Sequence, residues 1–220
     1  MSKFLKNSRR WGLMRAIYAT IMTRLRPWFM LSQIRLQRAR LISIPEHSRT
    51  RVASTDDLQQ AYVELPEHFD PEFVRDALGR GDVCVAAFDD QKIAAFAWRS
   101  FSTAPHTDGL WVSFPSTCCY CYKLFTLPEY RGQHILDSEV TENLAAQRGC
   151  THLVTFAETH NFPSITRSDR IGATVVGYAG YFLFFGRPYP FRSLGARKHG
   201  FRFYLRPASD CQPGTSDSAR

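Results

Sequence analysis

The first helical pattern in the chain lies near its start. Trp11, Met14, Tyr18, Ile21, Met22, Leu25, Trp28 and Phe29 recur at spacings of three and four, which places them on one stripe of an α-helix. Pro27 is expected to kink or divide that helix near Arg26. Apolar runs then alternate with turn residues. Residues 41–53 predict a first strand, with Thr55 as the N-cap of a helix and Asp56 and Asp57 in its first turn. Asp70 before Pro71 opens a short helix over 71–78, stopped by Gly79 and Gly81. Two strands over 83–88 and 92–100, joined by Asp89, Asp90 and Gln91, predict a β-hairpin. Strands follow over 110–114 and 120–127, the second ending at Pro128.

A helix is predicted over 134–148, with Leu136, Val140 and Leu144 on one face and Gly149 past its end. A strand over 152–157, a helix over 161–171 stopped by Gly172, a long aromatic strand or hairpin over 174–185, and a strand over 201–205 complete the order. Mixed strands followed by strand–helix–strand–helix–strand predict an α/β fold with a largely antiparallel sheet.

Charge changes this picture at one end. The first forty residues hold ten Lys and Arg (Lys3, Lys6, Arg9, Arg10, Arg15, Arg24, Arg26, Arg35, Arg38, Arg40) and no acid. Taking those ten from the chain's 28 basic residues leaves 18 against 20 acidic ones. The excess charge is therefore local. Three segments are expected: a basic amphipathic helical leader over 1–40, a body over 41–206 and a disordered tail over 207–220 rich in Ser, Asp, Pro and Gly. The leader fits a membrane surface, with aromatics inserted and Arg against anionic headgroups. It equally fits packing on the chain's own body or on a protein partner; nucleic acid is disfavoured. Arg15, Arg24 and Arg26 interrupt any run near the ~20 apolar residues that a membrane span needs. A cleaved signal peptide fits poorly, and a mitochondrial transit peptide fits better. A cytoplasmic protein, peripheral at the membrane if the leader binds there, is the expected location.

The six cysteines, Cys84, Cys118, Cys119, Cys121, Cys150 and Cys211, lack zinc-ligand spacing and read as free thiols. No metal site is expected.

The chemistry is expected at Leu124-Phe-Thr-Leu-Pro-Glu-Tyr-Arg-Gly-Gln-His-Ile-Leu136. A strand ends at a proline, a basic glycine-containing turn follows, and a helix starts. Helix N-termini present unpaired N–H groups and a partial positive charge, which suits phosphate. Pro128, Glu129, Tyr130, Arg131, Gly132, Gln133, His134, Ile135 and Leu136 resemble the P-E-Y-R-G-x-G-I-G/A motif of the GNAT N-acetyltransferase superfamily. Asn161, Ser164 and Gly172 stand at the spacings of a second motif of that family, and the hairpin over 83–100 resembles its second and third strands.

The resemblance covers roughly residues 50–185 and implies a GNAT-like mixed sheet flanked by helices. It implies that acetyl-CoA or another acyl-CoA is the co-substrate, and that an acyl group passes directly to an amine acceptor. The pantetheine arm would bond to the splayed strand at Leu124, Phe125, Thr126 and Leu127. The pyrophosphate would sit on the N–H groups of Arg131, Gly132, Gln133, His134, Ile135 and Leu136. Asn161 and Ser164 would contact the pantetheine or thioester end. Glu158 is the expected base and Tyr122 a second catalytic candidate. The chain departs from the family where His134 and Leu136 replace glycines, Ala173 an aromatic, and Ser168 the tyrosine that serves many members as acid. Those departures favour the alternative, a non-catalytic GNAT-fold interaction module. Ten Phe and Tyr between Tyr178 and Tyr204, interleaved with Arg and Lys, are read as a sheet edge covered by the leader helix.

Overall fold

The computed structural model describes residues 11–44, 48–107 and 109–205. Lys3, Lys6, Arg9, Arg10, Cys211 and the tail expected over 207–220 lie outside the described residues.

The leader is helical only in part. Helix α1 covers Leu13–Leu25. Trp28 lies in the turn after it, and Phe29 opens strand β1, Phe29–Arg38. The helical expectation over 1–40 is corrected there. Past Pro27 the period changes from helical spacing to alternation. Met30, Ser32 and Ile34 are buried on one face, and Arg35 and Gln37 on the other. The two polar side chains are buried because helices on their face supply partners. Arg35 donates to Asp169 and to the Ala173 carbonyl, and Gln37 to Glu142 at 2.5 Å.

The remaining elements follow the expected order with shifted ends. β2 is short, Thr50–Val52. α2, Thr55–Glu64, is capped by Ser54 rather than Thr55, because the Ser54 hydroxyl and the Asp57 carboxylate satisfy each other's backbone N–H groups. In α3, Pro71–Gly79, the Asp70 carboxylate accepts from the Phe73 N–H, as expected. Strands β3 (Val83–Asp89) and β4 (Lys92–Ser100) form the hairpin. Then come β5 (Ala104–Thr107), β6 (Leu110–Ser113), β7 (Cys118–Thr126), α4 (Ser138–Gln147), β8 (His152–Glu158) and α5 (Phe162–Arg170). The aromatic stretch is a hairpin, β9 (Thr174–Phe184) and β10 (Arg187–Arg192), followed by α6 (Leu194–Lys198) and β11 (Arg202–Leu205).

The main sheet runs β10-β9-β1-β8-β7-β4-β3-β2, and a small sheet runs β11-β6-β5. Among the described residues only β7 and β8 pair in parallel; every other pairing is antiparallel. Strand β1 lies between β8 and β9, so part of the expected leader is a central strand of the body. The principal core joins one sheet face (Trp98, Phe96, Ile34, Tyr122) to α2, α3 and the small sheet (Leu58, Ala77, Leu110, Phe203). On the other face α4 packs through Val140 and Ala145.

His106 is half-buried against the principal core, its ring 4.7 Å from Phe203 and its Nε2 3.4 Å from the Met30 sulfur. Burial pushes its pKa from 6.5 down to about 4. The folded chain therefore binds this proton less readily than the unfolded chain. Stability from this group is complete above pH 6.5 and is lost as pH falls through the window from 6.5 toward 4. Urea unfolding is expected to show a loss of up to about 3 kcal/mol between those limits. In His106→Gln that acid-dependent loss should be at least halved.

Candidate active site

Strands β7 and β8 share a register from Cys118↔His152 to Cys121↔Thr155 and then part. β7 continues to Thr126 and β8 to Glu158. Along 122–126 the edge of β7 that faces β8 has no strand partner, while its other edge stays on β4 through Ala95↔Thr126. In that second ladder Lys123 and Leu124 of β7 oppose the single residue Ala97, a bulge at which Lys123 has φ 50°. The extra residue bends β7 away from β8. It also carries the Lys123 ammonium to 3.4 Å from the Phe73 ring centre. The result is a wedge between two parallel strands with backbone groups along one wall.

The pantetheine positions named above line that wall. Leu124 is half-exposed, and the Phe125 ring lies 3.9 Å from His68. The Thr126 carbonyl accepts from Arg131 Nε at 3.2 Å, and the Leu127 N–H donates to Ala94 at 3.0 Å.

The segment after the wedge is not the helix expected from residue 134. A 3₁₀ turn covers Pro128–Tyr130, and α4 starts only at Ser138. The reason is tertiary. Leu136 is buried with Val85, Ala87, Ala95 and Val140, the Asp137 N–H donates to Thr50 Oγ1, and Thr50 Oγ1 donates to the Ile135 carbonyl. The chain is thus pinned across β2 before it can coil. Gly132 (φ 88°) and His134 (φ 54°) both sit in the left-handed region. Residues Arg131, Gly132, Gln133 and His134 form an exposed loop over the start of α4.

One arginine reaches that loop and two more lie behind it. Arg170 donates to His134 Nε2 at 3.0 Å, which makes Nε2 the acceptor of that ring. Arg167 donates to the Leu136 carbonyl at 3.4 Å. Arg99, only 3% exposed, donates to Thr141 Oγ1 and to the Trp98 carbonyl. Among the described residues no carboxylate pairs with Arg99, Arg167 or Arg170. A thiol lies beside two of them. The thiol of Cys121, at the vertex of the wedge, is lowered from its ordinary range by the neighbouring Cys119 thiol, with the Arg99 and Arg167 charges adding to the effect against burial. These three arginines were missed in the sequence. Arg99 was legible as a lone cation in an apolar strand, and Arg167 and Arg170 as a pair three residues apart on one helix face.

The two residues expected to be catalytic stand on opposite arms of the wedge. Glu158 ends β8, with Oε1 3.0 Å from Arg26 and Oε2 3.3 Å from His160 Nε2. Tyr122 lies on β7, and its hydroxyl donates to Asp82 Oδ2 at 2.8 Å. Asp82 is buried and also accepts from Arg80 at 2.9 Å. The Asp82 carboxylate and burial push the Tyr122 pKa up, burial first. Asn161 is the N-cap of α5, its Oδ1 accepting from the Ser164 N–H at 3.3 Å. That bond ties together the first two residues of the second motif. Among the described residues no cluster of His, Cys, Asp and Glu could hold a metal ion.

The chain matches no family model and no curated protein. It is similar in shape to solved structures. One is a GNAT-family protein from Novosphingobium aromaticivorans, 16% identical with a TM-score of 0.46, over 69% of this chain and 62% of that one. Another is a GNAT-family acetyltransferase from Colwellia psychrerythraea, 16% identical with a TM-score of 0.47, over 68% of this chain and 54% of that one. A third is AAC(6')-Iy in complex with the bisubstrate analogue CoA-S-monomethyl-acetylneamine, 18% identical with a TM-score of 0.43, over 56% of this chain and 88% of that one. This chain spans less than two thirds of the length of the first two.

Proposed function

We propose that the protein transfers an acyl group, acetyl in the simplest case, from acyl-CoA to an amine. The observation that carries this reading is the wedge itself. Two parallel strands part after Cys121↔Thr155, and a loop with two left-handed residues and arginines beside and behind it follows at once. An extended pantetheine arm adds to the free edge of β7 as a strand would, through its amides. The diphosphate lies on the loop of Arg131, Gly132, Gln133 and His134, with Arg170 and Arg167 supplying charge. The thioester carbonyl then lies near the end of the β7 edge, where a backbone N–H polarises it.

Glu158 is the proton acceptor in this reading. The acceptor amine arrives as an ammonium, passes a proton to Glu158 directly or through water, and attacks the thioester carbon. The C–S bond breaks as the amide forms, and the departing CoA thiolate takes the second proton of the amine nitrogen, directly or through water, and leaves as the thiol. His160 fixes the orientation of the carboxylate, while the largely exposed Arg26 adds a weak ion pair at its other oxygen. Tyr122, whose hydroxyl is engaged by Asp82, serves as a positioning residue for the β7 wall.

The test is thiol release from acetyl-CoA in the presence of a panel of primary amines. At least one amine is expected to accelerate release by about a hundredfold over the protein-free rate. A folded protein that accelerates none, with acetyl-CoA or a longer acyl-CoA, would overturn the reading. The alternative, a non-catalytic GNAT-fold module, is favoured by the buried Leu136 at a glycine position and by the engaged Tyr122 hydroxyl. It predicts no turnover with any amine.

A further inference from the structure

Helix α1 is turned the opposite way from an ordinary surface helix. Its buried positions are Ala16, Ala19 and Met22. Its large apolar side chains face outward. Met14 is 78% exposed, Ile21 51%, and Trp28 in the following turn 61%, with Ile17 and Leu25 also exposed. Residues 14, 17, 21, 25 and 28 succeed one another by three or four, so they form one continuous stripe. An ordinary amphipathic helix would bury that stripe. Arg15 and Arg24 flank it, and the first forty residues contain no acid.

A second apolar projection meets the end of this stripe. The β9–β10 hairpin exposes Phe182, Phe184 and Tyr189, and Phe185 at its tip is 91% exposed. The Leu183 N–H donates to the Trp28 carbonyl at 2.7 Å, and Phe29 pairs with Phe182. Helix stripe and hairpin tip therefore adjoin at Trp28, with Arg187 exposed beside the tip. Among the described residues the leader does not cover the aromatic hairpin, the cover its sequence suggested, and both faces are open.

We infer that this surface docks on an anionic phospholipid bilayer, with the α1 stripe and the hairpin tip inserted at the level of the headgroups. The charge decides the occupant. Cations of one sign rim the stripe, which complements an anionic lipid surface. Trp and Phe at the projecting ends match the aromatic preference of the membrane interface. A bilayer also needs no matching groove, whereas two projections of different shape would require one on a protein. No described helix is long and apolar enough to cross a membrane, so the mode is interfacial. The same helix is tied to the candidate active site. Tyr18 hydrogen-bonds Thr159 at 2.6 Å, Trp11 packs on Phe162, and Arg26 pairs with Glu158. Docking would bring the Glu158 end of the wedge to the lipid surface. The inference rests on the exposed surface and does not depend on the acyl-transfer reading.

The test is co-sedimentation of the full chain with vesicles of phosphatidylcholine alone and with about 30% phosphatidylglycerol. The anionic vesicles are expected to bind about tenfold more protein, and raising salt to about 0.5 M to release most of it. Ile21→Gln with Leu25→Gln should lower binding about tenfold with no change in charge, and Phe185→Ser should lower it several-fold. All three positions are exposed, and circular dichroism checks that the fold is kept. Absence of binding to either vesicle would overturn the inference. So would wild-type binding by the glutamine variant, which would reduce the contact to charge alone. A dimer of the wild type that the same variant dissociates would assign the face to a second copy instead.

Discussion

A chain lacking residues 1–40 is expected not to fold, whereas one lacking residues 1–27 is expected to keep a native body. The difference is β1. It is paired along both edges, to β8 from Ser32↔Glu158 to Arg38↔His152 and to β9 from Phe29↔Phe182 to Leu36↔Thr174. Its removal opens the sheet between β8 and β9 and takes Met30 and Ile34 from the core. It also leaves Glu142 without Gln37 and Arg40 in a buried site. Truncating one buried Ile or Met to Ala costs about 2–5 kcal/mol. Losing both side chains, a ladder on each side and a buried partner exceeds the ~5–15 kcal/mol that holds a domain together. Helix α1 alone buries only Ala16, Ala19 and Met22, so its loss costs a small fraction of that. Solubility, near-ultraviolet circular dichroism and cooperative urea unfolding of the two truncations check the claim. A cooperative transition in the shorter chain would show that β1 is dispensable.

Glu158→Gln is expected to lower kcat/KM for amine acylation by about 10²–10⁴, the usual contribution of a positioned general base. The substitution is nearly isosteric. A glutamine keeps an oxygen able to accept from Arg26 and stays within reach of His160, so the end of β8 holds its shape. The Arg26 side chain is largely exposed, so the ion pair adds under about 1 kcal/mol to stability. Stability should therefore change little while turnover collapses. Arg26→Ala provides the contrast, with the carboxylate retained and kcat expected within about threefold of wild type. A Glu158→Gln enzyme with wild-type turnover would remove this residue from the chemistry.

Local signals carried much of the fold. Asp70 before Pro71 marked the start of α3, and Asp89, Asp90 and Gln91 marked the turn between β3 and β4. Errors arose where tertiary contacts overrode local pattern. Helical spacing through Trp28 and Phe29 hid β1, although Gln33, Arg35 and Gln37 alternate with Ile34 and Leu36 as a strand requires. The late start of α4 could not be read locally, since it depends on Thr50 and the pocket that takes Leu136. Of the candidate site, the loop was legible from the Pro128–Leu136 motif, and the Glu158 position from the end of a strand expected over 152–157. The cations were legible one by one but not as a group, because Arg99, Arg167 and Arg170 come from a strand and a helix that meet only in the folded chain. The outward turn of the α1 stripe was also hidden. Periodicity states that residues share a face but not which way that face looks.

The most direct test of acyl-CoA use is calorimetric titration of the full chain with acetyl-CoA and a longer acyl-CoA, beside Arg131→Glu. Arg131 is exposed at the head of the loop, so its reversal leaves the fold intact while placing a carboxylate where the diphosphate would lie. Binding with Kd on the order of micromolar, weakened about a hundredfold or more by the substitution, is the expected result. Absence of binding by the folded wild type, or binding that Arg131→Glu leaves unchanged, would contradict the site assigned to this loop.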